Sequence, residues 1–165
     1  MSAGLTAFTI FHVALSLVGI GSGFVVFYGM LTSKRLDLWT AVFLSTTALT
    51  SLTGFLFPIE KITPGIIVGI VSLVVLAVAF VARYVRHMAG IWRAVYVVFA
   101  AMALYLNFFV LVVQLFQKAP ALKELAPTQS EPPFQMTQLV VLVLFVVLTV
   151  VAAIRFRVEP VRANT

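Results

Sequence analysis

The chain contains no cysteine, which excludes disulfides, thiolate metal sites and thiol redox chemistry. It is poor in acids, with five Asp and Glu against eleven Lys and Arg, and it has two histidines in 165 residues. Charged residues make up 10% of the chain, where a soluble domain carries about 25%. No acid falls inside a long apolar run. A carboxylate that orients a catalytic histidine, or that couples ion movement in a transporter, therefore has no place within those runs. His12 and His87 lie far apart along the chain, one near the start of an apolar run and one at the end of another, so they do not form a haem clamp or a metal centre. Neither a metal nor a cofactor is expected, and no catalytic apparatus is visible. A glycine-rich phosphate loop is missing too. The run Gly19-Ile20-Gly21-Ser22-Gly23 lies inside an apolar stretch, where it reads as helix packing.

What the chain has in abundance is apolar residue: 62% of the total, with mean hydropathy +1.15. Five runs stand out, at about 5–31, 38–57, 64–85, 91–116 and 136–154. Each approaches the ~20 residues that cross ~30 Å of hydrocarbon as a helix. The expected fold is all-α: one integral membrane helical bundle over residues 1–165, with five transmembrane helices, four forming the core and a peripheral fifth. The first run reads as a span and not as a cleavable leader, because no Lys or Arg precedes it and it exceeds the length of a leader's apolar core. Residues 118–135 form the longest loop. Its four prolines predict a stiff connection, either lying over the mouth of the bundle or tethering two helices.

The +6 net charge does not point to nucleic acid, because the basic residues sit at the ends of the apolar runs. With the N-terminus outside, the inner segments hold Lys34, Arg35, Arg83, Arg86, Arg93, Arg155, Arg157 and Arg162, and the outer ones Lys61, Lys118 and Lys123. The positive-inside rule then gives N-out and C-in. Trp39 and Trp92 fall at the inner interface. Arg83, Arg86 and Arg93 form a basic group suited to anionic lipid headgroups. Glu60 and Lys61, after Pro58, read as a solvated pair or as a gate at the outer end.

Within the runs the polar residues are patterned. In the second, Thr46, Thr50 and Thr53 share a stripe, Thr47, Ser51 and Gly54 lie beside it, and Leu49, Leu52, Phe55 and Leu56 cover the other side. The first run carries His12, Ser16, Gly19 and Gly23; the third Gly65, Gly69, Ser72 and Ala79; the fourth Ala100, Ala103, Asn107 and Gln114. Small residues at this spacing let membrane helices approach closely. At ~1.5 Å per residue, His12, Thr50, Ser51, Ser72 and Asn107 fall in one layer, ~10–14 Å below the outer end. That layer is either a set of helix–helix hydrogen bonds or the wall of a polar pocket or path.

The runs TTALTSLTGFLFP (46–58) and NFFVLVVQLFQKAPALKELAPTQSEPPF (107–134) resemble small multi-spanning bacterial inner-membrane proteins of uncharacterised function. The resemblance implies the bacterial inner (cytoplasmic) membrane as location and carries over no site residues. Two functions follow as expectations. One is a non-enzymatic accessory or assembly subunit, or a binder of lipid or a small apolar ligand. The other is a channel or facilitator for a neutral solute or protons through the polar layer. The expected partners are the lipid bilayer and another membrane protein or a second copy meeting the fifth helix.

Overall fold

A computed structural model describes residues 3–57 and 64–157. Pro58, Glu60, Lys61 and Arg162 lie outside the described residues, and with them the pair read as a gate. The described chain is helical throughout, without strands: α1 (Ala3–Leu31), α2 (Asp37–Gly54), α3 (Pro64–Phe80), α4 (Trp92–Lys118), α5 (Pro120–Leu125) and α6 (Pro132–Arg155). Prolines open α3, α5 and α6, where the missing N–H removes no intrahelical bond. The last turns of α3 widen into a π-helical segment, Val81–Val85.

Four helices are long and apolar enough to cross a bilayer: α1, α3 with its π extension, α4 and α6. The second apolar run departs from expectation. It folds as an 18-residue helix, α2, that is not among the four, because seven hydroxyl side chains and Asp37 dilute its apolar residues. α2 turns five of those hydroxyls onto backbone carbonyls. Thr40, Thr46, Thr50, Ser51 and Thr53 donate to the carbonyls of Leu36, Val42, Thr46, Thr47 and Leu49, at 2.7–3.1 Å. Such back-bonding removes the cost of an unpaired hydroxyl in apolar surroundings.

The helices α1, α2, α3, α4 and α6 alternate in direction. One end of the bundle gathers the turn after α1, the start of α2, the π segment, the start of α4 and the end of α6. This basic end holds Lys34, Arg35, Arg83, Arg86, Arg93, Arg155 and Arg157. The core lies between α1, α2, α3 and α4, and its fully buried members include Phe43, Tyr96, Val97 and Leu104. Gly23 makes the close approach possible: a Cβ there would come within 2.6 Å of Leu104 Cδ1 and 2.9 Å of Phe43 Cε2. Phe55, expected on the outer side of α2, instead packs against Gly69 of α3.

α6 packs along α4 and α1, with Phe145 and Ala152 turned inward. The Phe145 ring lies 5.6–6.2 Å from those of Phe24, Phe27, Tyr105 and Phe108. Between Leu139 and Val150 most of its other residues are exposed valine and leucine.

The 118–135 segment is shorter as a loop than its composition suggests, since α5 and the first turn of α6 occupy much of it. It folds back on α4 and is neither a free tether nor a cover over the bundle. Ala126 is buried against Val112 and Phe116, Phe134 meets Phe116 edge-on, and Gln129 Nε2 donates to Val113 O at 3.0 Å. Glu131 closes the turn by accepting from the Thr128 hydroxyl and from the N–H groups of Thr128 and Ser130. Desolvation raises the Glu131 carboxyl, but these bonds favour its charged form and hold it, on balance, below its ordinary value.

Candidate functional site

Polar side chains from α1, α2 and α4 meet along one seam. α1 supplies it because His12, Ser16 and Gly19 recur at helical spacing on one face. At the end away from the basic cluster, His12 Nδ1 lies 2.8 Å from Thr53 Oγ1. The Thr53 hydroxyl proton goes to Leu49 O at 2.7 Å, so the ring Nδ1–H donates and Nε2 is left without the proton in the neutral ring. Phe57 packs edge-on to the imidazole at 5.2 Å. One turn further in, the Ser16 hydroxyl donates to Asn107 Oδ1 at 2.9 Å. Deeper still, Gly19 presents a bare Cα to three polar atoms. A Cβ there would lie 3.0 Å from Thr47 Oγ1, 3.1 Å from Asn107 Nδ2 and 3.3 Å from Thr46 Oγ1. Thr47 Oγ1 and Asn107 Nδ2 are buried and have no hydrogen-bond partner among the described residues.

The structure thus brings His12 and Asn107 to the same seam but onto different partners, Thr53 and Ser16. Thr50 and Ser51, singled out with them, direct their hydroxyls to α2's own carbonyls. Ser72 is buried on α3 and takes no part in the His12–Thr53 or Ser16–Asn107 pairs. Ser16, Thr47 and Thr53 are the members the layer argument passed over. Ser16 was legible, since it sits one turn from His12 on the stripe that continues to Gly19 and Gly23.

At the basic end the three arginines grouped for lipid headgroups separate. Arg83 departs from the expected surface position: it is 3% exposed and turned into the bundle. Its guanidinium is held by the Asp37 carboxylate, and the same carboxylate oxygen lies 2.7 Å from Arg35 Nε. It also sits over the Tyr96 ring at 5.1 Å and near Met88 Sδ at 3.8 Å. Met88 reaches this place through a turn in which His87 and Met88 both adopt positive φ, 48° and 55°, a conformation unfavourable for side chains with a Cβ. Arg86 is exposed and stacks on Trp92 at 4.8 Å. Arg93 donates to the carbonyl of Phe156, the residue after α6. A signal for Arg83 existed in the sequence: at spacings of four, three and four it continues the inward stripe Ser72, Leu76, Ala79.

His12 and His87 lie at opposite ends of the bundle, and among the described residues no three His, Asp or Glu side chains gather. Asn107 lines neither the cleft beside Arg93 and Arg157 nor the gap beside Gly23 and Phe43. Comparison with protein-family models, with curated proteins and with solved structures finds no match to this chain.

Proposed function

We propose that this chain is an integral protein of the bacterial inner membrane, N-terminus outside and C-terminus inside. It acts there without catalysis, as an accessory component that binds lipid or an apolar partner along its outer surface. The observation that carries this reading is the division of labour between helix faces. Most of the inward polar groups of α1, α2 and α4 are taken up by one another or by their own backbone, as in Ser16–Asn107 and His12–Thr53. The outward faces of α1, α3 and α6 are apolar over their length, as at Leu17, Ile70 and Val143. A protein so built presents lipid-like surface outside and a closed seam inside. The excess of Lys and Arg at one end supports the orientation.

One feature of the seam favours a second reading, a facilitator for protons or a neutral solute. Thr47 Oγ1 and Asn107 Nδ2 face the same glycine without partners, as groups lining a narrow polar path would. Reconstitution separates the two. Proteoliposomes holding the full chain are expected to show proton and glycerol flux no higher than protein-free vesicles. A flux that the protein raises and that Asn107→Leu abolishes would overturn the first reading in favour of the second.

A further inference from the structure

We propose that the cleft between the start of α4 and the end of α6 binds one anionic phospholipid, its phosphodiester held by Arg93 and Arg157. This rests on the membrane reading above and names the ligand and its seat. The cleft is open on one side, has a volume of about 480 Å³ and is lined by Arg93, Ala153, Ile154 and Arg157. Two guanidiniums thus share a concavity with two aliphatic side chains, a combination suited to a phosphate with hydrocarbon attached.

Arg93 is anchored through its guanidinium and Arg157 through its backbone. Arg93 spends one N–H on the Phe156 carbonyl, and the rest of its fork remains for an anion. The backbone of Arg157 is tied to the turn after α1 at both polar atoms: its N–H donates to Ser33 Oγ, and Ser33 Oγ lies 3.0 Å from its carbonyl oxygen. Neither arginine has a carboxylate partner among the described residues, where the ion pairs all involve Asp37. Among the described residues their charge is uncompensated in a way that Arg83's is not.

What selects a lipid over free phosphate is the surface leading away from the cleft. Ile154, Val150, Val147 and Val143 fall at spacings of four, three and four on α6, so they form one stripe. All four are more than half exposed. With the phosphate between the two arginines, an acyl chain has a continuous apolar track along α6, starting at the Ile154 wall. A zwitterionic headgroup fits less well, because its ammonium would meet two guanidiniums.

The test uses full-length protein in nanodiscs of phosphatidylcholine with 30% phosphatidylglycerol, with lipids carried through purification read by native mass spectrometry. The wild type is expected to retain phosphatidylglycerol over phosphatidylcholine. Arg157→Gln should lower that preference about fivefold, because the backbone bonds to Ser33 survive the change and the fold is kept. Ile154→Asn should lower it as well. Equal retention of the two lipids, or an unchanged preference in Arg157→Gln, would overturn the proposal, as would displacement of the lipid by millimolar inorganic phosphate. Failure of the protein to stay in the bilayer at all would instead remove the membrane reading beneath it.

Discussion

Replacing Asp37 by alanine should destabilise the bundle more than replacing the buried arginine it pairs with. Arg83 has 2% of its side chain exposed, against 64% for Asp37. Removing the carboxylate leaves a guanidinium desolvated with no counter-charge, its Nε already without a partner among the described residues. Breaking a fully buried pair costs about 3–5 kcal/mol. Water reaches the Asp37 side, so the loss should be nearer that of a charged hydrogen bond, about 1.5–3 kcal/mol. Arg83→Met removes the charge instead, keeps an unbranched chain over Tyr96 and returns Asp37 to solvent. It should cost less than Asp37→Ala, and the double variant should be no worse than Arg83→Met alone. The measurement is denaturant unfolding of the four proteins in mixed micelles. Equal and additive losses would show that Arg83 is not held by Asp37.

The second large effect is steric and comes with an internal control. Gly23→Ala places a methyl group 2.6 Å from Leu104 Cδ1 and 2.9 Å from Phe43 Cε2. Both neighbours are buried, at 1% exposure each, so either their side chains repack or α1 moves away from α2 and α4. Overpacking of this kind costs about 1–3 kcal/mol. Gly21, two residues earlier, has nothing within 4 Å of its would-be Cβ. Gly21→Ala should be neutral or stabilising by up to about 1 kcal/mol, through helix propensity alone. The unfolding midpoint should therefore fall for Gly23→Ala and hold or rise for Gly21→Ala. If both moved the same way, the close approach at Gly23 would not exist.

The parts of this architecture that follow one physical rule were legible in the sequence. Apolar length marked α1, α3, α4 and α6, the four helices long and apolar enough to cross a bilayer. The spacing of Gly19 and Gly23 marked the inward face of α1, since only bare backbone admits Leu104 and Phe43. Where two rules compete, reading the chain was less secure. In α2 the Thr50 and Ser51 hydroxyls bond to the preceding turn, so they need no partner on another helix, although their spacing suggested one. Arg83 follows both the positive-inside pattern and the inward stripe of α3. The stripe prevails because Asp37, at the first turn of the neighbouring helix, is there to receive it. The 118–135 segment hid its structure because proline reads as loop, yet Pro120 and Pro132 each open a helix. Its docking on Val112 and Phe116 depends on contacts that no local pattern announces.

On the proposed function, the exposed apolar faces meet lipid while the polar seam is closed within. The absence of cysteine makes the decisive measurement direct, because single cysteines can be introduced against an empty background. Spin labels at Leu17, Leu52 and Val143, each about half exposed, and at the buried Thr47 and Ala103 would be read in reconstituted bilayers by power-saturation EPR, with oxygen and a water-soluble nickel chelate as relaxants. The three outward positions are predicted to be accessible to oxygen and shielded from nickel, and the two inward positions shielded from both. Nickel access at Leu17, Leu52 or Val143, or oxygen access at Thr47 equal to that at Leu17, would contradict it.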